Sequence, residues 1–224
     1  MAFSFSTRAA RTALASAALL VLGTVAAPAA NAYNPDIDGD GIPNTWEMKG
    51  YDADGDGKID VNYPAMGANP LKKDIFVEMD YMPGLLASEE ELDRITESFA
   101  QLPLRNPNGT TGINIHLDAG SARSAKYNLG GGNEVAHEQL DNTMTKWAEI
   151  RSKNMDPNRE SVFHYMIWGD AYDEYGSSGL GYVGGRGFVV TVGPRFWGKS
   201  ATSDVRVGTF IHELGHNLGL GHGG

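Results

Sequence analysis

Three features of the 224-residue sequence predict a mixed α/β (α+β) domain with a small acidic appendage. From Asn69 onward, stretches with the two-residue period of strands alternate with stretches with the 3.6-residue period of helices. A last amphipathic stretch, Val207 to Leu218, carries histidines along one face. Ahead of the alternating region lies a glycine-punctuated acidic repeat.

Residues 1–32 read as a secretory signal peptide rather than as fold. Arg8 and Arg11 precede an apolar run from Ala13 to Ala27, and Ala30-Asn31-Ala32 has the small-x-small form of a cleavage site. The mature chain is therefore expected to start at Tyr33 and to be secreted and extracellular. No later stretch is long and apolar enough to span a bilayer, so the mature form is expected to be free of membrane. The remaining residues, roughly 190, suffice for one domain with its own core, and a monomer is expected. With no cysteine, stiffness must come from that core or from bound ions. The net charge of -10 is concentrated: Asp36 to Asp60 holds eight acids and two lysines. A nucleic-acid partner is excluded, because phosphates call for a basic face.

Residues 33–63 contain the repeat. Asp36-Ile-Asp38-Gly-Asp40-Gly41 recurs sixteen residues later as Asp52-Ala-Asp54-Gly-Asp56-Gly57. Alternate carboxylates closed by a glycine turn suit Ca2+, a hard cation that takes oxygen ligands. The first copy fits a complete twelve-residue loop, with Asp36, Asp38, Asp40, the Ile42 carbonyl and Glu47 as ligands. The second offers Asp52, Asp54, Asp56, the Lys58 carbonyl and Asp60, but has Tyr63 where the closing glutamate should stand. Only Met48 to Tyr51 separates the loops, too few residues for the helices of paired EF-hands. The segment resembles thrombospondin type 3 repeats instead.

Residues 64–224 hold the alternating elements. Lys73 to Met82 reads as a strand. Ser88 with Glu91 forms a capping box, opening a helix whose stripe is Leu92, Ile95, Phe99 and Leu102, closed by Pro103. Asn108-Gly109 makes a turn into a second strand, Gly112 to Asp118. After the Gly130 to Gly132 loop, a long helix is expected from Glu134 to Asn154, with a core stripe of Leu140, Met144, Trp147 and Ile150. Ser161 to Trp168 and Arg186 to Val192 read as the third and fourth strands. Gly179-Leu-Gly181-Tyr-Val-Gly184 fits G-x-G-x-x-G but precedes a strand, so it is not a dinucleotide fingerprint. His116, His137 and His164 are expected to be hydrogen-bonded structural histidines or surface residues rather than ligands. Asp170, Asp173 and Glu174 lack the regular spacing of a further calcium loop.

The last helix carries the chemistry. His212, Glu213, His216, Gly219 and His222 spell H-E-x-x-H-x-x-G-x-x-H. At about 100° per residue, His212 and His216 share one face and can reach one cation. Val207, Ile211, Leu214 and Leu218 form the opposite, apolar face, Ser203 or Asp204 can cap the start, and Gly219 can end the helix so that the chain turns His222 back to the ion. Three imidazoles with one open position describe a catalytic Zn2+ site, with Glu213 as general base on an activated water.

This complete motif resembles the zinc signature of the metzincin metalloendopeptidases. The resemblance implies a twisted, mainly parallel sheet with an antiparallel edge strand, backed by two helices including the active-site helix, plus one connecting helix. It also implies that the fourth strand forms the edge above the cleft, where a protein or peptide substrate adds as a further strand. Together with NPLKKDIFVEMDYM at Asn69 to Met82 and the acidic repeats, the chain is similar to secreted bacterial metzincins, pappalysin-like or of another branch. The alternative is an extracellular calcium- and zinc-binding or adhesion module without turnover. Metzincins also have a methionine-containing turn after the third histidine and a C-terminal subdomain. All eight methionines here precede His222, so the sequence is expected to be a fragment.

Overall fold

The computed structural model describes residues 35–172 and 176–223. The leader, Asp173, Glu174 and Gly224 lie outside the described residues. Two short helices, α1 (Asn44–Lys49) and α2 (Tyr63–Met66), precede strand β1 (Asp74–Tyr81). Then follow α3 (Glu89–Ala100), β2 (Asn114–Asp118), α4 (Thr145–Asn154), β3 (His164–Gly169), β4 (Gly179–Gly181), β5 (Gly187–Thr191), α5 (Pro194–Trp197) and α6 (Ser203–Asn217).

One sheet in the order β2-β1-β3-β5-β4 organises these elements. All pairings are parallel except β4 with β5, which is antiparallel. Central strands β3 and β5 are buried at every position, as expected where a parallel sheet is covered on both faces. The expectation of a mainly parallel sheet with an antiparallel edge holds, but the edge strand is a different one. Arg186 to Val192 supplies β5, which is interior, and the edge is β4, built from the glycine pattern that precedes it.

Helix α3 begins as its capping box dictates. Glu91 N donates to Ser88 Oγ at 3.2 Å, and Ser88 N donates back to Glu91 Oε2 at 2.8 Å. The same Glu91 pairs with buried Arg206 of α6, Nε to Oε1 3.0 Å, and the Arg206 guanidinium lies 5.0 Å above the Trp168 ring. One carboxylate thus starts one helix and fastens it to another.

The helix expected over Glu134 to Asn154 is reduced to α4. Glu134 bridges Tyr81 in parallel fashion, with Val135 N donating to Tyr81 O at 2.9 Å, so these residues extend the sheet. The Asp141 carboxylate then accepts from the N–H groups of Thr143, Thr145 and Lys146, which makes a turn that starts α4 late. Met144 sits in that turn with φ 60°. Leu140, Met144 and Ile150 are buried nonetheless, so the apolar stripe was legible while its backbone was not.

At α6 the cap is Thr202, whose hydroxyl accepts from Val205 N at 3.4 Å, rather than Ser203 or Asp204. Those two residues bond Arg94 of α3 instead, Nη1 to Ser203 Oγ at 2.8 Å and Nη2 to Asp204 Oδ1 at 2.6 Å. Val207 and Leu214 face the core as expected, but Leu218 lies past the helix end and is exposed. Phe210 takes the central place, with ring centroids 5.3 Å from Phe188 and 5.8 Å from Trp168.

The acidic segment packs onto this core through Ile42, Val61 and Tyr63, all buried. Tyr63 meets Phe76 and Phe163 at centroid distances of 5.4 and 6.3 Å.

A buried charge cluster joins β1, β2 and the loop before β3. Arg159 Nη1 donates to Glu78 Oε2 at 2.7 Å and to Asp118 Oδ2 at 2.8 Å. Burial pushes the Glu78 carboxyl up to about 7 even against the opposing field of Arg159. Arg159→Met would strand both acids without a counterion, and a loss of about 3–5 kcal/mol in unfolding free energy is expected. Urea denaturation measures it, and a change below about 1 kcal/mol, the size of an exposed pair, would contradict the assignment.

Candidate metal centre

The site forms where α6 ends. His212 and His216 stand one turn apart on α6. Gly219, at φ 95°, takes the left-handed conformation that closes the helix, its N–H donating to His216 O at 2.9 Å. The chain then reverses and returns His222. The three Nε2 atoms form a nearly equilateral triangle: 3.0 Å from His212 to His222, 3.1 Å from His216 to each of the others.

Three ring nitrogens so placed cannot satisfy one another, because each neutral nitrogen either donates or accepts along a single direction. Their lone pairs converge instead. The centre of the triangle lies about 1.8 Å from each nitrogen, close to the roughly 2.0–2.1 Å of a zinc–imidazole bond, so all three could hold one ion. His216 Nδ1 donates to Leu220 O at 2.7 Å, which leaves Nε2 as the unprotonated nitrogen. The residues present therefore fit Zn2+.

Glu213 is buried beside the triangle and lines, with all three histidines, a cleft of about 470 Å³. Burial pushes its carboxyl up to about 7, with His216 and the Gly181 N–H pulling the other way. The opposite wall is the run Ser177 to Gly181, with Tyr172 and Thr209 at the flank.

Residues 108–223 match the family described as Metallo-peptidase family M12B Reprolysin-like, over more than half of the chain. The chain belongs to this family. It therefore contains a metzincin-like metalloprotease domain, and His212, His216 and His222 are the triad suited to the zinc of such a reprolysin-like enzyme. No curated protein matches the chain.

Within this reprolysin-like domain several site residues escape a reading by motif. Edge strand β4 passes directly over Glu213. A Cβ at residue 179 would lie 2.6 Å from Glu213 Cγ and 2.7 Å from its Oε1, and one at residue 181 would lie 2.8 Å from the Glu213 carbonyl oxygen. Two of the glycines that mimic a nucleotide fingerprint, Gly179 and Gly181, sit where strand and helix leave no room for a side chain, while Gly184 has open space and a φ of 72°. Asn217 was also missed. Its Nδ2 donates to the carbonyls of Tyr182 and Gly187, each at 3.1 Å, and its Oδ1 bonds His164 Nδ1 at 3.1 Å. Gly184 N adds a bond to His216 O at 2.9 Å. The residue after the second ligand thus ties α6 to β5 and to the loop after β4.

The other histidines are hydrogen-bonded and stand apart from the triad: His164 on Asn217, His116 on Asp74 at 2.6 Å, and His137 on Asp170 at 2.8 Å. Burial drives the His164 pKa down to about 4, so its ring is neutral.

In the first acidic loop, the carboxylates of Asp36, Asp38 and Asp40 come within 4.8 Å of one another. Glu47 joins Asp40 and, unforeseen, Asp74 of β1. The Ile42 amide donates to Asp40 Oδ1 at 2.7 Å, and its side chain is buried. In the second loop Asp52, Asp54 and Asp56 gather in the same way, but Asp54 and Asp56 are exposed. Asp60 stays outside this cluster, accepting from Ala53 N at 2.7 Å, and the Lys58 ammonium sits on Asp56 at 2.6 Å.

Gly179→Ala is expected to displace the Glu213 carboxylate and lower kcat/KM by roughly a hundredfold, as misplacement of a reacting group does, with metal content unchanged. Kinetics alongside elemental analysis test this. A wild-type kcat/KM in the alanine variant would mean that the strand has slack over Glu213.

Proposed function

We propose that this protein is a secreted zinc endopeptidase in which Glu213 is the general base for attack of water on a peptide carbonyl. The observation that carries the reading is the convergence of three Nε2 atoms beside a buried carboxylate in an open cleft. A bound zinc would supply Lewis acidity, polarising the carbonyl and making water easier to deprotonate at neutral pH. Glu213 receives the proton at a carboxylate oxygen and passes it to the leaving amide nitrogen. Burial favours the protonated form of this carboxyl, which suits the half of the transfer in which it gives the proton on. Edge strand β4 borders the cleft through Leu180 and its flanking glycines, and supports an extended peptide laid along it as another strand.

The leader at residues 1–32 carries the secretion part of this reading, and the lack of cysteine leaves bound ions as the available extra staples outside the cell. Ca2+ is accordingly the second cofactor, held by the acidic loops of a thrombospondin type 3-like segment in a structural role. A monomer of the pappalysin-like or a related secreted branch, acting on protein or peptide substrates, completes the proposal.

Glu213→Gln keeps the shape of the side chain and removes its basicity. Cleavage of casein or gelatin is expected to fall by at least about a hundredfold, while zinc stays bound. Equal turnover by wild type and variant would refute the general-base role.

A further inference from the structure

The first acidic loop meets a carboxylate that its sequence pattern does not contain, that of Asp74. Asp40 belongs to two groups of carboxylates at once: its oxygens lie within 4.8 Å of those of Asp36 and Asp38 on one side, and of Glu47 and Asp74 on the other. Glu47 is only 1% exposed, and neither of its oxygens has a hydrogen-bond partner. Asp38, 5% exposed, likewise has an unpartnered Oδ2. No ion pair among the described residues reaches Asp36, Asp38, Asp40 or Glu47; the attractive field of Lys73 acts on Asp38 and is outweighed there by burial. Buried carboxylates without donors or counterions are among the costliest groups a fold can hold.

The surrounding backbone already holds these oxygens in place. Asp36 accepts from the N–H groups of Gly39, Asp40 and Gly41, at 2.7, 3.3 and 2.9 Å. Asp40 Oδ2 accepts from Asp74 N at 2.7 Å, so the loop's side chain is also fastened to the strand's main chain. Asp74 is itself oriented, Oδ2 by Asn69 N at 2.7 Å and Oδ1 by His116 Nε2 at 2.6 Å. Each carboxylate retains lone pairs for a metal. Oxygen donors alone, within 4.8 Å of one another in each of two trios that share Asp40, suit metal–oxygen bonds of roughly 2.3–2.6 Å and describe a calcium site rather than a zinc site.

We propose that Asp74 is a ligand of the first calcium site, so that one Ca2+ held by Asp36, Asp38, Asp40, Glu47 and Asp74 pins the N-terminal segment to the first strand of the catalytic sheet. The proposal rests on the reading of the acidic loop as calcium-binding and adds to it a ligand from the protease sheet. The second loop, exposed and partly neutralised by Lys58, has no such anchor. Its ion would leave the sheet untouched.

Calcium titration by calorimetry and thermal melting in calcium or EGTA test this on wild type, Asp74→Asn, Glu47→Gln and Asp54→Ala. Asp74→Asn and Glu47→Gln are each expected to weaken the tightest calcium site by roughly tenfold or more, since ligand charge sets affinity in such loops. Both are expected to melt below wild type in calcium. In EGTA, Glu47→Gln is expected to melt no lower than wild type, since it replaces an unpartnered buried acid, whereas Asp74→Asn also weakens the bonds to His116 and Asn69 N. For both, the quantity read is the rise in melting temperature from EGTA to calcium, which is expected to shrink. A merely misfolded variant would melt lower in both conditions and keep that rise. Asp54→Ala is expected to leave the tightest site unchanged. A wild type indifferent to calcium would overturn the acidic-loop reading and the closure with it. A calcium response that survives Asp74→Asn intact would overturn the closure alone.

Discussion

Strand β4 crosses α6 so closely that a methyl group at residue 179 or 181 would overlap Glu213. The rest of the site follows from that approach. It brings a sheet edge to within reach of the metal-binding face, buries the Glu213 carboxylate enough to raise its pKa, and leaves a groove whose other wall is the histidine face of the helix. The position of α6 is in turn held by polar contacts rather than by its apolar stripe alone. Asn217 bonds two carbonyls beyond β4, and Arg206 reaches back to Glu91 of α3. Phe210, between Trp168 and Phe188, keeps the helix seated on the sheet while these bonds set its register.

Buried charges recur as joints between elements that lie far apart in sequence. Arg159 serves two acids from neighbouring strands, Arg206 serves the capping glutamate of another helix, and Asp74 receives His116 from β2 and an amide from its own approach loop. Such pairs contribute little net stability against an apolar packing of the same volume, but a wrong alignment of the strands would leave a charge stranded at a cost of several kcal/mol. They act here as register marks in a sheet whose central strands, buried on both faces, have no polar side to distinguish one alignment from the next.

What could be read in the sequence was local. The zinc triad was legible because helical periodicity and a single glycine turn bring His212, His216 and His222 together without help from the rest of the fold. The Ser88–Glu91 box was legible for the same reason, three residues apart with reciprocal bonds. What could not be read depended on distant partners. Residues 134–144 have the stripe of a helix, but Tyr81 recruits Glu134 into the sheet and the Asp141 side chain takes the amides that a helix would have used. Strand β4 is three residues long and glycine-rich, with no side-chain alternation to betray it. Asp74 lies outside the twelve-residue loop that it meets, and only the fold brings it there.

The topology also sets an order of events. Strand β1 must pair with β2 on one side and with β3, nearly ninety residues further along, on the other; β5 and β4 then extend the sheet. Pairings so distant in sequence form slowly, and a ribosome releases the zinc ligands only after every strand that positions them. The groove beside β4 does not exist until that edge has docked over Glu213. Among the described elements, the three histidines and Glu213 therefore come together only once the sheet edge beside them is in place.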